Sequence, residues 1–166
     1  MKTNLRAAVI LLTILGCVGC DQVTKSIARD QLPPRATISL FHDTVRLEHA
    51  ENPGAFLSLG DQLPRTSREI LFILGGALLV LGTAVWAFGS KRINPVQSIG
   101  AGLACGGGLA NILDRVIHDG TVTDFINIGV GTLRTGIFNV ADVALMLGLA
   151  MLVAGDSLAR RLPRSQ

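Results

Sequence analysis

The chain has 166 residues, of which 49% are hydrophobic and 16% charged. That is too much apolar surface for an ordinary soluble domain and points to a membrane protein. The net charge of +3 does not signal nucleic acid, because Lys and Arg nowhere gather into one basic stretch interleaved with aromatics.

In chain order, the first apolar run, Ala7 to Cys20, follows Lys2 and Arg6 and is shorter than the ~20 residues a spanning helix needs. Alone it looks like a signal-peptide core, so the stretch around GCVGCDQVTK has two readings: a leader cut away, or the outer part of a helix that stays. Cys17, Cys20 and Cys105 all fall in apolar runs and read as small packing residues rather than a disulfide framework. The outer segment that follows, about 29–68, holds Pro33 and Pro34, then TISLF and VRLEH about a His-Asp-Thr turn. This alternation predicts a short hairpin, too small to fold alone, lying against the helices or the membrane surface.

Ile70 to Phe88 is long enough to span and ends at Lys91 and Arg92, with Trp86 placed as an interfacial aromatic. Ile93 to Leu113 is less apolar but dense in Gly100, Gly102, Gly106, Gly107 and Gly108, which let helix backbones approach closely. A second outer segment, about 116–136, carries the strand-like TVTDFINI. Ile137 to Ala154 makes the fourth span. The prediction is a mainly α membrane protein, one integral-membrane domain, with helices at about 7–28, 69–89, 93–114 and 137–158. A small β-containing segment lies outside. Lys2, Arg6, Lys91, Arg92, Arg160, Arg161 and Arg164 fall on one side, which the positive-inside rule makes the cytoplasm, with both termini there. Asp156 is the one acidic residue near that end.

The polar residues inside these spans carry the functional reading. Asp142 stands about five residues into the last predicted helix, roughly 7–8 Å below its outer end. A carboxylate there is costly, so it faces protein or water and often serves function. Asn139 shares its face. Asn111, Asp114 and Arg115 share a face at the outer end of the third helix, where Asp114 and Arg115 read most simply as an interfacial ion pair. Asp124 follows after a short loop, so Asp124 and Asp142 can meet at one membrane boundary. Two close carboxylates cannot both ionise cheaply; one holds a proton while the other takes one from water. That is acid–base machinery for peptide hydrolysis. His42, His49 and His118 lack the spacing of a metal site, Lys25 and Ser26 point in different directions as neighbours on a helix, and the glycines before Asn111 lack the rest of a phosphate loop. Two other classes fit the same residues: a small transporter or channel component with Asp142 and Arg115 in an ion path, and a structural subunit whose polar residues only lock helices together.

Taken together, DQVTK (Asp21 to Lys25), ENPGAF (Glu51 to Phe56), GGGLANILDR (Gly106 to Arg115), VTDFI (Val122 to Ile126) and FNVAD (Phe138 to Asp142) resemble the lipoprotein signal peptidase, or signal peptidase II, family. The order and spacing cover nearly the whole chain. The resemblance implies a four-helix aspartic peptidase of the bacterial inner membrane, cutting prolipoproteins on the amino side of a diacylglyceryl-modified Cys, at the periplasmic side. Asp124 and Asp142 match the catalytic pair. Asp21, Lys25, Asn52, Gly54, Gly108, Asn111, Asp114, Arg115, Asn139 and Ala141 match residues expected to line the site, orient the pair or hold substrate. The second motif more often reads N-x-G-A-A-F, which leaves Ala55 and Phe56 without an assigned role, and Gly more often stands where this chain has Ala110. The resemblance further implies no cofactor or metal, contact with membrane lipid, and inhibition by globomycin-type cyclic peptides. It also favours a first helix that stays and runs to about Ala28, with Lys25 snorkelling to the interface, because Asp21 and Lys25 would be wasted in a cleaved leader.

Overall fold

A computed structural model of the chain describes residues 3–32, 36–54, 60, 62–90 and 93–161, with side chains in the last helix to Ser157. Lys2, Pro33, Pro34, Ala55, Phe56, Lys91, Arg92 and Arg164 lie outside the described residues, as do the side chains of Arg160 and Arg161. Among the described residues, four helices are long and apolar enough to cross a membrane. The first is α1 (Thr3–Gln31). The second is one rod built from α2 (Arg65–Glu69), a π-helical turn (Ile70–Gly75) and α3 (Gly76–Gly89), continuous because the backbone at Glu69, Ile70, Gly75 and Gly76 stays right-handed helical. The others are α4 (Pro95–Ile117) and α5 (Val140–Arg161).

At 1.5 Å per residue α1 is about 43 Å long, so the short apolar run is only part of it. The helix continues through Asp21 and Lys25. Lys25 does not snorkel: it is fully buried, its Nζ 2.7 Å from Asp21 one turn earlier and 3.0 Å from Asp114 of α4. Pairing inside the bundle costs less than dragging an ammonium past packed helices to water, provided its donors are all met.

Among the four spans, α4 is the most buried, and its small residues explain why. Gly102 and Gly106 lie against Thr13 and Cys17 of α1, and a Cβ on Gly107 would overlap the carbonyl oxygen of Ala141 on α5. Gly148 of α5 returns the contact against Ala104. Close backbone approach supplies the packing that lipid cannot drive. Cys17 and Cys105 are buried as packing residues should be, but Cys20 is exposed, because it sits on the outward face of α1.

One end of the bundle is tied by polar caps. Asn94 and Gln97 form a capping box at the start of α4, with Pro95 following, and Asn94 Nδ2 donates to the Gly155 carbonyl of α5 at 2.9 Å. Arg6 donates to the Phe88 carbonyl at 2.8 Å and to that of Ser90, meeting orphan acceptors at the end of α3.

At the other end lies a four-stranded antiparallel sheet in the order β1 (Thr37–Leu40), β2 (Val45–Asn52), β3 (Val122–Val130), β4 (Leu133–Arg134). The expected hairpin is β1–β2. Its tip, Phe41, His42 and Asp43, is left-handed, and Asp43 braces it by accepting from Ser39 and Arg46 at 2.8 Å each; these bonds hold the Asp43 carboxyl well below the usual range. The strand-like TVTDFINI becomes β3 on the free edge of β2, with Ala50 opposite Asp124 and Asn52 opposite Val122. Ala28, Leu32 and Phe125 form the apolar contact joining this sheet to α1.

Candidate active site

Three elements converge beneath the sheet. β3 supplies Asp124. The bridge between Phe138 and Ile126 stops the chain beside β3, and Asn139 then opens α5. Its side chain accepts from the Asp142 N–H at 2.9 Å, while Asp142 Oδ2 accepts from the Asn139 N–H at 3.3 Å, a reciprocal cap of the first turn. Asp142 is therefore in the opening turn of α5 rather than five residues into it, beside the positive end of the helix dipole. Sequence alone extended the helix back to Ile137, because apolar residues there looked continuous with it.

Three asparagines aim their amides at the two aspartates, and each is oriented by what its oxygen must do. Asn52 Oδ1 accepts from the Gly54 N–H at 2.9 Å, so its Nδ2 donates to Asp124 Oδ2 at 2.8 Å. Asn139 spends its oxygen on Asp142 N–H, so its Nδ2 donates to Asp124 Oδ1 at 2.6 Å. Asn111 Oδ1 accepts from Lys25 Nζ at 2.9 Å, and Lys offers only donors, so Asn111 Nδ2 turns to Asp142 Oδ1 at 2.8 Å. Asp124 and Asp142 thus share the Asn139 side chain as a common neighbour. Burial, with the nearby Asp142 charge adding to it, pushes the Asp124 carboxyl up to about 6 against the opposing hydrogen bonds from Asn52 and Asn139.

Behind this layer, Lys25 binds Asp21, Asp114 and Asn111, three acceptors for its three protons. Asp21 Oδ1 accepts from the Ala141 N–H at 2.8 Å, and Asp114 Oδ2 from the Thr123 N–H at 3.1 Å. One buried cation therefore fixes the backbone on both sides of the pair: next to Asp142 and next to Asp124. The expected ion pair of Asp114 with Arg115 is absent, because consecutive helical residues diverge. Asp114 turns to α1, and Arg115 donates to the Asn111 carbonyl at 3.2 Å and to the Gly54 carbonyl, with its guanidinium 5.3 Å from the Phe72 ring centre. Phe72 reaches it from the π-helical turn, a local widening of a kind often found at functional sites.

Asp124 and Asp142 line one cavity of about 780 Å³ with Asn52, Gly108, Asn111, Arg115, Phe72 and apolar residues of α3, α4 and α5. Gly108 belongs to this wall, and a Cβ there would stand 2.7 Å from Val80. All twelve site residues read from the sequence fall on or directly behind this cavity. The sequence reading missed Phe72, which no motif contains, and Thr123, Glu51 and Gln22, which lie inside or beside quoted motifs. Gln22 donates to Asp114 at 3.1 Å; Glu51 accepts from Thr121 at 2.8 Å and Thr123 at 3.1 Å. Burial acts to raise the Glu51 carboxyl, but its bonds from His49, Thr121 and Thr123 win and lower it. The other two histidines are similarly occupied or surface-borne: His118 packs on the Asp114 carbonyl at 3.2 Å, and His42 is exposed at the hairpin tip.

A family model described as signal peptidase (SPase) II matches residues 13–157. The chain belongs to the signal peptidase II family. Among relatives, it is 31% identical over 156 residues to a lipoprotein signal peptidase of Leifsonia xyli subsp. xyli, covering 90% of this chain and 68% of that protein. It is 30% identical over 158 residues to one of Mycobacterium tuberculosis (strain H37Rv), covering 92% and 70%. The fold is that of a bacterial membrane enzyme solved by the in meso method at 2.3 Å, with TM-score 0.81, 21% identity, and 96% of this chain and 94% of that one covered. A second such structure, at 1.9 Å, gives 0.76 at 22% identity, covering 93% and 95%. As a signal peptidase II the chain is an aspartic endopeptidase of the membrane that removes signal peptides from prolipoproteins, and the ion-path and purely structural readings fall away.

Proposed function

We propose that Asp124 and Asp142 are the catalytic pair, sharing one proton and one water in the cavity beneath the sheet. The observation that carries this is the Asn139 side chain, which bonds Asp124 and caps the turn bearing Asp142. Asp124, with its carboxyl held up to about 6, keeps the proton and hydrogen-bonds the scissile carbonyl; Asp142 takes a proton from water as the water oxygen attacks the carbonyl carbon. The Asp124 proton passes to the carbonyl oxygen, giving a tetrahedral diol. On collapse the C–N bond breaks, Asp142 gives its proton to the leaving amine, and the diol returns one to Asp124. Any observed pKa values belong to the pair.

Lys25, Asp21 and Asp114 position this machinery through Asn111, Ala141 and Thr123, and Arg115 with Asn52 and Gly54 holds the wall opposite. The substrate is a prolipoprotein whose modified Cys carries diacylglyceryl chains in the bilayer, cut on its amino side. It enters sideways from lipid along the cavity's apolar wall. Both termini face the cytoplasm and the sheet faces the periplasm, in keeping with the basic residues of the sequence. A globomycin-type cyclic peptide would compete for the same cavity. The test is cleavage of a lipidated precursor peptide by purified protein. Asp124→Asn and Asp142→Asn should each insert and fold yet lose at least about 10²–10⁴-fold in rate; near-normal cleavage by either variant overturns the assignment.

A further inference from the structure

Arg115 is only 8% exposed, and a guanidinium offers nothing but N–H donors. Its Nη1 donates to the Asn111 carbonyl at 3.2 Å and its Nη2 to the Gly54 carbonyl. Its buried Nε meets no hydrogen-bond partner among the described residues. What stands over the guanidinium instead is the Phe72 ring, its centre 5.3 Å away, within the ~6 Å at which the negative face of an aromatic ring attracts a cation. The ring is itself held in place. A Cβ on Gly60 would stand 2.9 Å from Phe72 Cζ and 3.5 Å from Cε2, so the chain closes over the ring's edge because that position is glycine. The φ of Gly60, +82°, is one that glycine adopts freely. The π-helical turn Ile70–Gly75 carries Phe72 into the cavity wall that also holds Asn52, Arg115 and Asp124.

We infer that Phe72 is a positioning residue of the peptidase: its ring face keeps the Arg115 guanidinium on the Gly54 carbonyl, and through Gly54 and Asn52 it fixes one side of Asp124. The role rests on the assignment of Asp124 to the catalytic pair and adds a residue, outside every motif of the sequence, that holds that aspartate in place. Each link is a contact of the folded chain. Arg115 grips the Gly54 carbonyl, which sets the orientation of the Gly54 backbone. The Gly54 N–H donates to Asn52 Oδ1 at 2.9 Å, and Asn52 Nδ2 donates to Asp124 Oδ2 at 2.8 Å. With its Nε unpaired, the guanidinium is anchored by two carbonyls alone once the ring is gone. It then swings, Gly54 turns with it, and the Asn52 amide loses the acceptor bond that aims it. A Leu at position 72 would line the cavity as an apolar wall equally well. It lacks the charge distribution of a ring face, so the holding function belongs to the aromatic ring and not to its bulk.

The experiment uses the full chain in bicelles with a lipidated precursor peptide. Phe72 is replaced, through a suppressed stop codon, by phenylalanine carrying one or two meta fluorines. Fluorine there withdraws charge from the ring face, hardly alters the ring's shape and leaves Cζ, which packs on Gly60, untouched. The kcat should fall stepwise from the parent through one fluorine to two, with KM held. Phe72→Leu should stand lowest, about two- to thirtyfold below the parent, the range of a cation–π contact. In an Asn52→Ala background the fluorine series should lie flat, because the link to Asp124 is already cut. Equal kcat across the series in the otherwise native chain, or the same stepwise fall in the Asn52→Ala background, overturns the inference. The fluorinated chains keep the ring, so the series decides even where Phe72→Leu does not fold. Asp124→Asn in the same assay tells the two failures apart: an inactive Asp124→Asn beside a flat series sinks the role of Phe72 alone, whereas near-normal cleavage by Asp124→Asn overturns the catalytic pair and this role with it.

Discussion

Lys25→Met is the sharpest probe of how the site is held. In the folded chain the Lys25, Asp21 and Asp114 side chains are all fully buried, with the ammonium 2.7 and 3.0 Å from the two carboxylates. Met matches the stem but removes the charge, leaving two carboxylates in the bundle with no cation between them. Removing one partner of a buried pair typically costs about 3–5 kcal/mol. At about 2–4 °C of Tm per kcal/mol for a protein of this size, the shift expected is a fall of roughly 6–20 °C. A fluorogenic maleimide reads it directly, because Cys17 and Cys105 are buried and label only on unfolding, while Cys20 is exposed and is first replaced by Ser. Asp114→Asn in the Lys25→Met background removes one stranded charge and should recover part of the loss. Activity should drop at least about tenfold even well below Tm, since Asn111 no longer has a reason to keep its amide on Asp142. A Lys25→Met protein melting within about 2 °C of the parent would refute the claim that this cation organises the pair.

Four further outcomes rest on the same geometry. Because burial raises Asp124 to about 6, the pair keeps its working proton below that pH and loses it above, so kcat/KM should decline on the alkaline side with a midpoint near 6. The Asn52 bond favours the ionised form of Asp124, so Asn52→Ala should move that limb to higher pH; an unmoved or lowered midpoint would count against Asp124 as the proton holder. At the α4–α5 contact, Gly107→Ala forces a methyl onto the Ala141 carbonyl and should cut the cleavage rate at least about tenfold by shifting the turn that bears Asp142. Gly82→Ala meets nothing and should leave the rate unchanged while gaining up to about 1 kcal/mol of helix stability, read from Tm.

The sequence by itself determined that four helices cross a membrane, because long apolar runs have one cheap way to satisfy their backbone in lipid. It also marked Asn111, Asp114, Asn139 and Asp142, since a carboxylate or amide in or beside such a run is expensive enough to stand out; Asp21, Lys25 and Asn52 emerged only through the resemblance of their motifs to a family, and Gln22, Glu51 and Thr123 did not emerge at all. Glycine spacing on α4 announced close packing for the same local reason. What it left open were relations between elements. That β3 takes the free edge of β2, that Lys25 turns inward to Asp114, that Phe72 lies over Arg115, and that Asn139 is shared by the two aspartates all depend on which surfaces meet in three dimensions. A residue's type states what it needs, a donor, an acceptor or a counter-charge; only the packed bundle decides which distant neighbour supplies it.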